Sequence, residues 1–380
     1  MLDENEGTVA EKDLAYAYNR QPLYKRVLVV IAGPLSNFIF AALLYWLLFI
    51  IGFTSLAPII GDITPHSIAA NAGLKPQQEI IQFDHKTINS WSDMIVRLLP
   101  RMGDKNTLQI TTQTLNHTIS EHTLNLHDWE MDNLKPDPLK SLGIVPYMPV
   151  IPAKIGTILA NSPAAIAGLK KNDVILSINH QKIDDWQDLT VIIANHAGET
   201  LPFQIQRQGK KIALLVTLGE KRFLFFKKSS YLGISPEFTW PKSLVRTIQY
   251  PPGQALKRAL DETFTYIHLN WVIMQKMVTG KISLQSLGGP ITIFESAGHS
   301  FIQGIIPFLS FIAFLSIAIG FINILPIPGL DGGHFFFQMI ELVFRKPLAE
   351  KWQLLFFRIG ILLLLALFIQ ALVNDFMRLG

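Results

Sequence analysis

The chain contains no cysteine. That excludes disulfides, Cys-ligated zinc, iron–sulfur clusters and thiol catalysis together. Charge is scarce as well: 16% of the residues are charged, against about 25% in an average soluble domain. With 49% hydrophobic residues and a mean hydropathy of +0.30, the composition excludes a disordered chain and argues against a purely soluble one. The net charge is +4 and there is no basic arm, so no nucleic-acid partner is expected. Neither Gly-x-Ser-x-Gly nor Gly-Asn-Ser-Gly-Gly occurs, which removes the usual settings of a serine nucleophile.

What the chain does have is long apolar runs. Val27 to Gly61 is uncharged, with Val27 to Phe53 as its apolar heart, and Ser300 to Leu330 is uncharged too. Ile359 to Asn374 is shorter but leucine-dense, and Arg358 is placed to snorkel. A span takes roughly 20 apolar residues, so three transmembrane helices and a lipid bilayer as partner are expected. A buried soluble helix is the alternative for the last run. Arg20, Lys25 and Arg26 precede the first run, and Arg345, Lys346 and Lys351 lie between the second and third. Positive flanks stay cytoplasmic, which puts the region from 62 to 300 on the opposite side.

That region repeats itself at a constant offset. Ser67, Ala69, Ala70, Ala72, Gly73 and Leu74 match Ser162, Ala164, Ala165, Ala167, Gly168 and Leu169. Ile80, His85, Ile88, Trp91 and Asp93 match Ile175, His180, Ile183, Trp186 and Asp188 without a gap. Each copy reads as strand, short Ser-capped helix ending at Gly, strand, and a second helix opened by Trp. Leu201–Gln206 and Ile212–Leu218 read as a hairpin. His85 and His180 read as turn residues rather than as shared metal ligands. The run "SPAAIAGLKKNDVILSINHQKIDDW" resembles a bacterial, circularly rearranged PDZ domain, and its partner repeat resembles a second. Each ends in a similar tail, with Gly143-Ile144 and Gly233-Ile234. The resemblance implies that peptide or protein segments bind at a sheet edge; packing modules without a ligand are the alternative.

The second apolar run ends in Asn323-x-x-Pro326-x-Pro328-Gly329-Leu330-Asp331-Gly332-Gly333-His334. Two prolines this close end an α-helix. Non-helical backbone at membrane depth is tolerated only against protein or water, and an ionisable residue there is a functional candidate. Asp331 is that candidate. A helix-ending turn at the interface, with Asp331 capping a helix from His334 onward, is the plainer alternative. Gly33, Pro34, Asn37 and Phe38 break the first run similarly, as a close helix contact or as a polar cavity in which Asn37 and Asn323 meet.

Together these features resemble the site-2 family of intramembrane zinc metalloproteases, in its bacterial form with two PDZ domains. Gly33-Pro34-x-x-Asn37-Phe38 and Asn323-x-x-Pro326-x-Pro328-x-Leu330-Asp331-Gly332 match family patterns over nearly the whole chain. The resemblance implies zinc as cofactor, Asp331 as a zinc ligand, and Asn323 with Pro326 and Pro328 holding the substrate backbone. It also implies transmembrane protein substrates such as an anti-sigma factor, and a bacterial inner membrane with the PDZ domains in the periplasm. The remaining family ligands, the histidines of His-Glu-x-x-His, are absent from this sequence, as is the Glu that activates water. None of the ten histidines has that spacing. The chain as written is therefore expected to be inactive. The expectation that accounts for this is an internal Met1 with the true start upstream, because Met1 to Lys12 is acidic and has no signal of its own. A truncated, inactive fragment and a working PDZ adaptor are the alternatives. Intramembrane aspartyl proteases fit less well, because Gly329-Leu330-Asp331 lacks their second Gly.

The expected architecture is a polytopic α-helical membrane protein with three transmembrane helices and two PDZ-like α/β domains inserted in the extracytoplasmic loop. Its parts are a cytoplasmic segment (1–26), a span (27–53), two PDZ-like domains (57–147 and 148–237), an interfacial helix and loop (253–304), a span ending in the motif (305–330) and a last span (357–374). Within 253–304, Leu256, Leu260, Phe264, Ile267, Trp271, Met274 and Met277 predict one apolar stripe, set either on the membrane interface or against the PDZ-like units.

Overall fold

The computed structural model describes residues 18–132, 137–222, 228–346 and 349–379. The expectation for the acidic opening segment falls outside the described residues. The chain forms two compact units, Met1–Pro146 with Val245–Gly380, and Tyr147–Leu244.

Helix α1 (Leu23–Ile51) opens the first unit and runs through Pro34 without a break. It stops at Gly52, whose φ of 82° a side chain would resist, and passes directly into β1 (Phe53–Leu56). The first PDZ-like module follows, as β2 (Ile60–Ile63), α2 (Ile68–Asn71), β3 (Glu79–Phe83), β4 (Lys86–Thr87), α3 (Trp91–Leu98), β5 (Thr107–Gln113), β6 (Ile119–Asn125), α4 (Pro138–Leu142) and β7 (Ile144–Pro146). The second unit repeats the plan. It holds β8 (Ile155–Ile158), α5 (Pro163–Ile166), β9 (Val174–Ile178), β10 (Gln181–Lys182), α6 (Trp186–Asn195), β11 (Thr200–Arg207), β12 (Lys210–Thr217), β13 (Gly219–Arg222), β14 (Lys228–Tyr231) and β15 (Ile234–Pro236). The chain then returns through β16 (Val245–Ile248) to α7 (Pro252–Val278), α8 (Pro290–Gln303), α9 (Ile305–Ile324), α10 (Asp331–Phe344) and α11 (Glu350–Leu379).

The two modules have matching topology. One sheet runs β4-β3-β5-β6 beside the pair β2–β7; the other runs β10-β9-β11-β12 beside β8–β15. Ser67 and Ser162 accept hydrogen bonds from Ala70 N–H and Ala165 N–H, as helix caps do. His85 and His180 have φ of 63° and follow Asp84 and Asn179, also left-handed, so they are turn residues. Gly143 and Gly233 combine positive φ with close approach. A Cβ at either would lie within 2.3 Å of the capping serine, Ser67 or Ser162. The conserved spacing of the tail thus has a packing cause: it folds Ile144 and Ile234 back as the first residues of β7 and β15.

Among the described residues, three helices are long and apolar enough to cross a membrane: Leu23–Ile51, Ile305–Ile324 and Lys351–Arg378 within α11. Helix α7 turns much of the expected apolar stripe outward. Leu256, Leu260, Phe264 and Trp271 are exposed, while the buried face carries Ala255, Ala259 and Thr263 at four-residue spacing. Those alanines share a core with Ala41, Tyr45, Leu48 and Phe49 of α1 and Ala313 and Ile317 of α9. Small residues let the backbones approach, so size rather than hydropathy chose the packed face.

Candidate functional site

Helix α1 builds one wall of the site from residues spaced by four: Gly33, Asn37, Ala41 and Tyr45 lie on one face. The missing side chain of Gly33 matters. A Cβ there would sit 2.5 Å from Asp331 Oδ2, so the carboxylate rests against bare backbone. Pro34 removes an N–H from the same turn, and the Gly33 carbonyl accepts from Ser36 Oγ at 2.7 Å and Asn37 Nδ2 at 3.5 Å.

One turn along, Ser316 Oγ of α9 donates to the Asn37 carbonyl at 3.0 Å and lies 3.3 Å from Asn37 Oδ1. Gly320 follows at the next turn. A Cβ there would meet Phe38 Cε1 at 2.9 Å and Pro34 O at 3.1 Å. Gly33, Pro34, Asn37 and Phe38 are thus contact residues of α1 with α9 and α10. The sequence did not single out Ser316 and Gly320, although small-x-x-x-small in an apolar run was the available signal.

Helix α9 ends at Ile324, and the chain crosses from Leu325 to Leu330 before α10 begins. Helix α10 starts at Asp331 itself and has no side-chain cap, which corrects the expectation of an Asp331 cap on a helix beginning at His334. The connecting segment is pressed on two sides. A Cβ on Gly332 would lie 2.1 Å from the Leu325 carbonyl, and one on Gly333 would lie 2.6 Å from that of Ile327. From the other side, Gly360 of α11 admits the Pro328 carbonyl, which would lie 1.7 Å from a Cβ there. Pro326 and Pro328 donate nothing, so the segment holds only short turns, such as Ile327 N–H to the Leu325 carbonyl at 2.7 Å. Arg26 of α1 fixes the far part of α10 through a two-pronged bond to Glu341, at 2.6 and 3.0 Å.

Asn323 is partly buried, and the side chain of Asn37 meets Ser316. Ser316 and Asn323 are two turns apart on α9. Among the described residues no group of three His, Asp or Glu is placed to hold a metal ion. His334 is exposed. His122 is spent in the first module, between Thr112 Oγ1 and the Ala72 carbonyl, each at 3.0 Å.

The comparison with known proteins agrees with this arrangement. The model of Peptidase family M50 matches residues 2–367. The regulator of sigma E protease of Salmonella typhimurium strain LT2 is 36% identical over 380 residues, covering 100% of this chain and 84% of that protein. The regulator of sigma-E protease RseP of Escherichia coli K12 is 34% identical with the same coverage. A Vibrio cholerae protein that carries the name of a zinc metalloprotease is 34% identical over 381 residues, again with 100% and 84% covered. A solved PDZ domain of an SdrC-like protein from Listeria innocua covers 23% of this chain and 97% of its own, at 19% identity and a TM-score of 0.20. The PDZ reading rests on the repeat and the strand order instead. With a family match over almost its full length, the chain belongs to peptidase family M50.

Proposed function

We propose that the chain serves a site-2 type metalloendopeptidase of the bacterial inner membrane, acting on membrane-spanning substrates such as an anti-sigma factor. The observation that carries this is the Asp331 carboxylate seated on Gly33 within the helix cluster, at the end of a non-helical segment. The names of the relatives support the substrate class.

The residues present do not by themselves fit a zinc ion. One carboxylate is too few, since a catalytic zinc takes about three protein ligands, and no second or third ligand accompanies Asp331 among the described residues. No hydrolytic step is therefore assigned to these 380 residues, and the chain as written is inactive in this reading. Its own contributions are positional. Asp331 is one ligand held at a fixed place. The Leu325–Leu330 segment offers main-chain groups to an unwound substrate, with Asn323 beside it. The two PDZ-like modules, in the periplasm, hold or exclude substrates by the size of their extracytoplasmic part. The outward stripe of α7 rests on the membrane interface.

The test compares the 380-residue chain with the same chain preceded by the His-Glu-x-x-His helix of a relative. Zinc and cleavage of a single-span substrate are expected only in the longer form. Asp331→Asn abolishes both there, and Asn323→Ala weakens cleavage. Full cleavage by Asp331→Asn overturns the assignment. A longer form that stays zinc-free favours the second reading, a non-catalytic PDZ adaptor, which the two complete modules beside an incomplete ligand set support.

A further inference from the structure

A cavity of about 730 Å³ lies away from Asp331, at the other end of α1. Tyr45 is about 18 Å along the helix from Gly33, at 1.5 Å per residue. The volume is in the range of ligand sites, about 300–1,000 Å³. Its lining includes Phe53, Thr54, Ser55 and Leu56, which is the whole of β1 in consecutive order. Side chains alternate across a strand, so a cavity on a sheet face is lined by every second residue. Consecutive lining marks an edge. Among the described residues strand β1 pairs only with β16, in a two-stranded ribbon. Its other edge carries main-chain groups without a ladder partner, the template that added strands use.

The ribbon is firmly based. Tyr250 N–H donates to the Phe49 carbonyl at 2.9 Å and Gln249 Nε2 to that of Ile50 at 3.0 Å. The cavity also holds polar groups suited to an amide. Tyr45 is 4% exposed and stacks on Tyr266 at 5.9 Å, with Tyr266 and Ser310 beside its hydroxyl. Glu262 lines the same space. Burial foremost, and Asp93 next, push its carboxyl up to about 7, so near neutrality it both donates and accepts. A phenol and a half-neutral carboxyl match a peptide group, which is donor and acceptor at once. A phosphodiester is only an acceptor, and Arg258 is already over the Tyr250 ring at 5.5 Å.

We propose that the β1 edge accepts an extended peptide segment as a third strand of the β1–β16 ribbon, with Tyr45 and Glu262 engaging its main-chain amides. Four residues of β1 offer about 13 Å of edge. The proposal is independent of whether the chain hydrolyses anything.

The test uses the 380-residue chain in detergent and a fluorescent octapeptide of alternating Val and Thr, acetylated and amidated at its ends. A twin methylated at every amide nitrogen keeps the side chains and removes every main-chain donor. Saturable binding of the parent, at least tenfold weaker binding of the twin, and slowed hydrogen exchange over residues 53–56 are expected. Tyr45→Phe, which conserves volume, weakens the parent several-fold, and Ser55→Trp blocks it. Equal binding of the two peptides overturns the proposal, as does no binding by a chain whose unfolding temperature is normal. Retention of phosphatidylethanolamine in native mass spectra, lost in Ser55→Trp and not displaced by peptide, also overturns it and assigns the cavity to lipid.

Discussion

The Asp331 carboxylate lies against Gly33, so close that any side chain at position 33 displaces it. The contact joins the first residue of α10 to the middle of α1 and leaves no slack. Gly33→Ala is expected to cost about 1–3 kcal/mol by overpacking. In a double-mutant cycle, Asp331→Ala relieves most of that loss. Thermal unfolding in detergent reads both, and strictly additive effects would mean that the two do not touch.

Gly360 tolerates less. Its Cβ would strike a carbonyl of the motif segment rather than the tip of a side chain. Gly360→Ala is expected to be more destabilising than Gly33→Ala and to speed proteolysis between Leu325 and Leu330. Gly298, with nothing within 4 Å of its Cβ position, supplies the control and loses little on substitution by Ala.

Lys276 of α7 reaches the first module, donating to Asp104 Oδ1 at 2.6 Å and to the Met102 carbonyl at 2.7 Å. Its side chain is 10% exposed. Lys276→Met is expected to cost about 2 kcal/mol, below the 3–5 of a fully orphaned buried charge, because Arg101 remains 3.9 Å from Asp104. Hydrogen exchange over residues 102–106 should accelerate while that of β3 does not.

Glu262 makes stability depend on pH. Its carboxyl titrates near 4.5 unfolded and at about 7 folded, raised by burial and then by Asp93, with Arg97 and Arg258 opposing and Asp261 assisting. The folded state therefore holds the proton more tightly. The contribution of Glu262 is fully present below pH 4.5, falls through the window up to about 7, and is lower above it by a figure of the order of 3 kcal/mol. Glu262→Gln flattens this window and raises the unfolding temperature at pH 8. An unchanged pH profile would refute the assignment.

Asp375 caps a helix from another helix. Buried at the end of α11, it accepts from Gly289, Ile291 and Thr292 N–H and from the Thr292 hydroxyl at the start of α8. Asp375→Ala is expected to cost about 3 kcal/mol, the scale of bonds to a charged acceptor. It should release residues 284–292 to protease while the second PDZ-like module keeps its resistance.

Local chemistry was legible in the sequence where one residue decides the outcome. Ser67 and Ser162 capped their helices, His85 and His180 made turns, and the uncharged runs became the long helices. The α7 stripe was legible as a pattern but not as a direction, because Ala255 and Ala259 carry little hydropathy and act by their absence of bulk. Gly360 and Ser316 were hidden for a similar reason: their meaning is in what approaches them, and the approaching groups, Pro328 and Asn37, are far away in the chain. The Asp331–Gly33 contact combined both cases, since the two residues stood out singly and their pairing did not.

Helix α11 touches the motif segment at Gly360 and the entrance to α8 at Asp375, about 22 Å apart at 1.5 Å per residue. One continuous helix therefore makes both contacts. A helix answers a thinner or thicker bilayer by changing its tilt. A displacement of α11 along its axis carries the Pro328 contact and the α8 cap together.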